Sequence, residues 1–402
     1  MAPKGDLGLR IQRARRAQGL SLQALADQFS RPITRAALSK YERGEVMPRA
    51  DVLLELGRVL RVPAAYFLEE APPPGVEWIA YRKHSRLGAR ASERIRARAE
   101  LAAEAFLRLR DLLHPGEEPA FPKPRTAATV DDAEDAADAL RAAWGLGSGP
   151  VEGLVGRVED AGALVLGSEE GTKFDGLSGR AARGFPVIVL NTSRPDDRTR
   201  FNIAHELGHL LLDTGSLTPR EEEQLANRFA AALLIPREAV YREVGRRRSE
   251  ITLAELEHLK RRYGVSMQAW VRRAKDLGVL TEEAYRSWNI QFRSQGWHVN
   301  ETATYEGEET PSRLRLLAIR ALAERLVDRE WVRRFCPEAL EGESTESKPA
   351  SAIRQLLVRG ESDRRTILEA AAQRAAKDYA EDSELEEFLA FDDELDGEGT
   401  GA

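Results

Sequence analysis

RFNIAHELGHLLLD, residues 200–213, decides how the middle of this chain folds and what it can hold. Phe201, Ile203, Ala204, Leu207, Leu210, Leu211 and Leu212 surround the polar core of the stretch, a pattern that predicts a helix over 198–213 buried on much of its circumference. His205 and His209 are four residues apart, so they stand on one face, one turn from each other. Two histidines and a glutamate in an apolar helix need partners. HELGH fits H-E-x-x-H: two imidazoles aimed at one metal, with Glu206 beside the first, placed to take a proton from water and pass it to a leaving amine. The expected metal is Zn2+, which in catalytic sites has three protein ligands and one open position.

A third ligand is sought downstream, in EEEQLANRFAAALLIP (221–236), a helix from about 220 to 234 stopped by Pro236. Leu225, Ala226, Phe229, Ala230, Leu233 and Leu234 set its buried face. Glu223 shares a face with Ala226 and Asn227 and is the first candidate, with Glu222 and Asp213 as alternatives; Asp213 lies one further turn beyond His209. In zinc peptidases with a glutamate third ligand, the residue four later often hydrogen-bonds a ligand histidine, and Asn227 fits that role. Upstream, GALVLGS (162–168) and FPVIVLN (185–191) are short apolar runs bounded by Gly, Pro, Asn and Ser, as strands are.

Three motifs in order, KFDGLSGRAARGFPVIVLN, RTRFNIAHELGHLLLD and EEEQLANRFAAALLIP, resemble the ImmA/IrrE family of metallo-endopeptidases. The strong part covers about 145–240; weaker similarity to fused members runs from Tyr81-Arg82-Lys83 to about 335. The resemblance implies a zinc peptidase that cuts a specific repressor in response to a signal. Family members often carry His where this chain has Asp213.

Residues 6–69 read as a bundle of short helices: a first ending at Gly19, SLQALADQF capped by Ser21, TRAALSKYERG capped by Thr34, a fourth after Pro48 and a short PAAYFLEE element. With ITRAALSKYERGEVMP and LLELGRVLRVPAAYF, this region resembles the Cro/repressor-type helix-turn-helix of XRE-family regulators, with a lengthened turn, SRPIT. The helix after Thr34 would enter the major groove of a double-stranded DNA operator. Gln23, Thr34, Arg35, Ser39, Lys40 and Arg43 are the expected DNA contacts. Residues 1–63 carry twelve Lys and Arg against six Asp and Glu, which suits phosphate.

The fold class expected is therefore multidomain: an all-α helix-turn-helix domain (1–70), a linker and helical connector (71–130), an α+β zincin-like metallopeptidase domain (131–290), a mostly helical C-terminal region (291–380) and an acidic tail (381–402). APPPG at 71–75 marks the clearest boundary, 90–113 reads as a long helix, and residues 290–310 fit no pattern. Eleven acids and no base fill 378–398, in a chain of net charge −6. A single cysteine, Cys336, precludes an internal disulfide and suits a reducing compartment. No leader-like run and no membrane-length apolar run is present, so a cytoplasmic protein is expected. The function expected is a DNA-binding transcriptional regulator, a homodimer on a two-fold site, whose peptidase domain cleaves a repressor-like protein. The alternative is a non-catalytic zinc-containing or antitoxin-like regulator acting by DNA binding alone.

Overall fold

The structure is a computed structural model, and it describes residues 4–69, 75–79, 88–118, 120–169 and 174–341. Four helices open it: α1 (Lys4–Ala17), α2 (Leu22–Ala26), α3 (Arg35–Glu42) and α4 (Ala50–Leu60), followed by a 3-10 turn at Ala64–Leu68. Ser21 Oγ accepts from the Ala24 N–H and Thr34 Oγ1 from the Ala37 N–H, the caps expected of these side chains. Leu7, Ile11, Leu25, Leu38, Leu56, Leu60 and Phe67 close one small core.

The long turn between α2 and α3 is tied to α4. Glu55 Oε1 accepts from the Ser30 N–H at 2.9 Å and from Ser30 Oγ at 2.7 Å, and Arg58 donates to it at 2.7 Å. Arg58 first, then the Ser30 groups, hold the Glu55 carboxyl at about 2. An unfolded glutamate titrates at about 4.3. The depressed group thus contributes stability above that value and loses it as pH falls towards the folded one. Protection of the Ser30 amide from hydrogen exchange is expected to weaken between about pH 4 and pH 2, and to be weak throughout in Glu55→Gln.

Beyond the bundle lie β1 (Glu77–Trp78), α5 (Ala89–Leu113), β2 (Arg125–Thr126), α6 (Val130–Ala143), α7 (Leu154–Asp160), β3 (Leu164–Ser168), β4 (Gly176–Arg180), β5 (Pro186–Asn191), α8 (Asp196–Leu211), β6 (Leu212–Asp213) and α9 (Pro219–Leu234). Then come α10 (Arg237–Glu243), α11 (Leu253–Tyr263), α12 (Met267–Asp276), α13 (Glu282–Ser294), α14 (Arg313–Ala323) and α15 (Arg329–Phe335). The main sheet has the order β1-β4-β5-β3, with β4 antiparallel to both neighbours and β3 parallel to β5. Both its faces are covered. Val165, Ile188 and Leu190 join the core that holds α8 and α9, whereas Leu164 and Val187 face Phe106 and Leu109 of α5. That is why β3 and β5 read as continuous apolar runs rather than alternating ones. The chain is thus all-α at the N-terminus, mixed α/β in the centre and mostly helical after it.

Helix α5 is shared. Its Ile95, Ala99 and Phe106 sides pack on the sheet, while Leu101 reaches the core of the N-terminal bundle. Arg13 donates to Glu100 at 3.0 Å and to Glu104 at 3.3 Å, Arg10 pairs with Glu104, and Tyr66 Oη donates to Glu104 at 3.3 Å. The bundle is therefore seated against the connector helix.

Two expectations change. The helix expected over 198–213 ends at Leu211: Leu212 turns extended, and Leu212–Asp213 pairs in parallel with β2, the Ala127 N–H donating to Asp213 O at 3.0 Å. Residues 290–310 split between the end of α13 and an irregular run anchored by buried acids. Glu301 accepts from Lys260 at 2.8 Å and from the Met267 N–H at 3.0 Å; Glu309 accepts from Arg200 and from the Val155 N–H at 2.8 Å. Tyr81-Arg82-Lys83, most of the 71–75 break, the helices expected beyond 341 and the acidic tail lie outside the described residues. Cys336 is buried, its thiol pushed up to about 12 by burial. No helix among the described residues is long and apolar enough to cross a membrane.

Candidate metal centre and nucleic-acid face

Helices α8 and α9 meet at small residues. A Cβ on Gly208 would sit 3.0 Å from Ala226 Cα, so a side chain there would press the two helices apart by a few tenths of an ångström. Ala226 lies between Glu223 and Asn227, and the close approach carries both to the histidines of α8. His205 Nε2 and His209 Nε2 are 3.0 Å apart, and Glu223 places a carboxylate oxygen 3.5 Å from each. All three ligand atoms lie within 4.8 Å of one another, a cluster able to coordinate a metal ion.

Asn227 Oδ1 lies 3.1 Å from His205 Nδ1, and its Nδ2 donates to Glu223 O at 2.8 Å. An amide oxygen facing Nδ1 favours the tautomer that leaves Nε2 with a free lone pair. Burial pushes the His205 pKa below its ordinary value despite the pull of Glu206 and Glu223, so the ring is held in the neutral form that a metal needs.

Glu206 is 2% exposed, and its Oε2 has no hydrogen-bond partner among the described residues. It stands beside the cluster without belonging to it. Strand β4 runs over it: a Cβ on Gly176 would lie 2.8 Å from Glu206 Oε1, and Arg180 donates to Leu210 O at 2.8 Å, so the strand is fitted to α8 at both ends. A buried carboxylate with an orphan oxygen, two imidazole nitrogens and a second carboxylate form a donor set that fits zinc with an open position.

The two alternatives for the third ligand are placed elsewhere. Thr214 Oγ1 donates to Glu222 at 3.3 Å, and Asp213, carried off the helix by β6, accepts from the Gly215 N–H at 3.3 Å. Glu221 forms a capping box with Thr218 at the start of α9. Trp270 and Trp288 are buried in the core, and Trp144 and Trp297 pack at its edge. His114, His258 and His298 stay out of the cluster, and His84 lies outside the described residues.

Residues 160–275 match the family model for the IrrE N-terminal-like domain, and residues 11–67 match the helix-turn-helix family model. The chain joins a helix-turn-helix domain to an IrrE-like domain. None of the curated proteins matches it. The metal-capable cluster falls inside the IrrE-like span, and α2 and α3 inside the helix-turn-helix span.

On the helix-turn-helix domain, Gln23, Thr34, Arg35, Lys40 and Arg43 are exposed and Ser39 is half-buried. Arg35 has no partner among the described residues, and Lys40 faces the charge of Glu45. Arg43 pairs with Glu45 at 2.5 Å and donates to Ser39 Oγ, and Gln23 donates to Asp27 at 2.8 Å. Thr34 is occupied as a cap. Arg31 and Arg49, 88% and 85% exposed on either side of α3, pair with Asp51 at 3.9 and 3.5 Å; sequence reasoning passed over both. It also missed Gly176, whose meaning depends on a neighbour 30 residues away.

Proposed function

We propose that this chain is a DNA-binding regulator whose IrrE-like domain is a zinc-dependent endopeptidase acting on a repressor-like protein. The observation that carries the reading is Glu206, a buried carboxylate beside a cluster of two histidines and a glutamate but not part of it. A structural zinc takes a closed shell of protein ligands and has no use for such a base.

In this reading His205, His209 and Glu223 hold the metal, and Asn227 orients His205. Zinc, when bound, would polarise the scissile carbonyl and bring the pKa of an attacking water to about 7. Glu206 takes the proton from that water and returns it to the leaving amine. Gly176 leaves Glu206 its space. Glu223→Ala is expected to lose zinc on dialysis that leaves wild type loaded, as metal analysis would show. Gly176→Ala is expected to keep zinc yet cleave up to about 10²-fold more slowly, because an added methyl displaces the base by part of an ångström.

The helix-turn-helix domain holds double-stranded DNA, as a homodimer on a two-fold operator, with Arg35 and Lys40 as cations on the exposed side of α3. Selection of random duplexes by the full chain tests this half. The peptidase half is tested by comparing new protein N-termini in cells expressing wild type or Glu206→Gln, both checked for zinc. A repressor-like protein cut only with wild type supports the reading and names the substrate. Identical termini under several stresses, with zinc bound in both, would leave a regulator that works through DNA alone.

A further inference from the structure

Helix α5 does more than join two domains. It runs antiparallel to α1, so its first turns meet the end of α1 and the turn that leads into α2. Arg98 Nε donates to Ala17 O at 3.0 Å, and Arg90 donates to Gly19 O from Nε at 2.9 Å and from Nη2 at 2.6 Å. Gly19 is two residues before Ser21, the cap of α2, and Gln23 is exposed on the first turn of that helix.

Arg90 differs from three arginines of α1. Arg10, Arg13 and Arg15 are committed to Glu104, Glu100 and Glu42. Arg90 is exposed, has a carbonyl as its partner and pairs with no carboxylate among the described residues; Glu93, one turn on, forms no ion pair with it. Two donors to one oxygen fix the guanidinium in place, while its charge stays unneutralised and its remaining N–H groups stay open to an acceptor. In helix-turn-helix docking the helix before the recognition helix crosses the phosphate backbone, and α2 is that helix here. A fixed, uncompensated cation at its entrance is where a backbone phosphate comes to lie.

We propose that Arg90 contacts a DNA phosphate, so that the connector helix completes a DNA surface the helix-turn-helix domain only partly supplies. The inference rests on the DNA-binding reading above. Phosphate contacts of this kind add affinity without sequence preference and release counterions. Because α5 also packs on the sheet that carries Gly176, the same helix touches both the DNA and the scaffold of the metal centre.

The test is salt-dependent binding of the full chain to a labelled random-sequence duplex, followed by fluorescence anisotropy. For Arg90→Gln, the ratio of affinities at about 50 and about 200 mM salt is expected to fall by about 3.5-fold per bound protomer, the share of one phosphate contact. Arg90→Lys keeps the charge and is expected to keep the salt slope, and Arg157→Gln, a remote exposed arginine on α7, is expected to change nothing. An unchanged slope in Arg90→Gln overturns the inference, even where its affinity falls, because Arg90 then only holds the turn after α1. Wild type that binds no duplex at any salt would overturn the DNA-binding reading itself.

Discussion

On the endopeptidase reading, Glu206→Gln is expected to hold zinc as wild type does and to cleave a protein substrate about 10²–10⁴-fold more slowly, the range a positioned general base contributes. The retention of metal follows from geometry: the three atoms that could hold it belong to His205, His209 and Glu223. The loss follows from chemistry, because an amide keeps the shape of the carboxylate and cannot accept the proton. Shape matters at this position, since Gly176 leaves less than a methyl's room above Glu206 Oε1. The isosteric amide is therefore the clean substitution, whereas a larger residue would also press on β4. Metal content by elemental analysis, together with single-turnover cleavage of the substrate found from new N-termini, separates the outcomes. Full activity in the zinc-loaded variant would remove Glu206 from the chemistry; loss of zinc with loss of activity would make Glu206 a structural support of the cluster.

How far such a site can be read from the chain depends on which part carries it. HELGH was legible because its spacing is its geometry: a separation of four residues fixes two histidines on one helix face. Glu223 and Asn227 were legible as candidates for the same reason, since both share a face with Ala226. What separates Glu223 from Asp213 is tertiary. Spacing alone carries the helix on to Asp213, but Leu212 leaves it to pair with Arg125, a partner about 90 residues earlier, and no local pattern announces that bridge. Strand β4 carries no strand signal, because GLSGR has none of the β-branched residues by which strands are found, and glycine is there to admit Glu206. The irregular part of 290–310 fits no pattern for a third reason. It is held by Glu301 and Glu309 reaching buried cations and helix N-termini, and charged side chains in irregular backbone look like solvated loop until their partners are known.

Those buried acids set the second large effect. Arg200, in the second turn of α8, is fully buried; it pairs with Glu309, donates to Val151 O at 2.6 Å and Tyr263 O at 3.2 Å, and stacks on Tyr305 at 5.1 Å. Glu309 also accepts from the N–H groups of Leu154 and Val155, at the start of α7. Arg200→Met leaves this carboxylate buried without its cation, and removing one member of such a pair costs about 3–5 kcal/mol. The expected result is a lower urea midpoint for the central region, followed by the fluorescence of buried Trp270 and Trp288. A double variant, Arg200→Met with Glu309→Gln, is expected to unfold at a higher urea concentration than Arg200→Met alone: the neutral amide needs no cation and can still accept from α7. That ordering distinguishes a stranded charge from simple loss of packing, since packing loss would make the double variant the weaker. Arg200 lies five residues before His205 on the same helix, so the pair also fixes the end of α8 from which the metal centre is presented. Zinc retention by the two variants should follow the same order as their stability, and equal retention would confine the pair to holding the loop at 295–312.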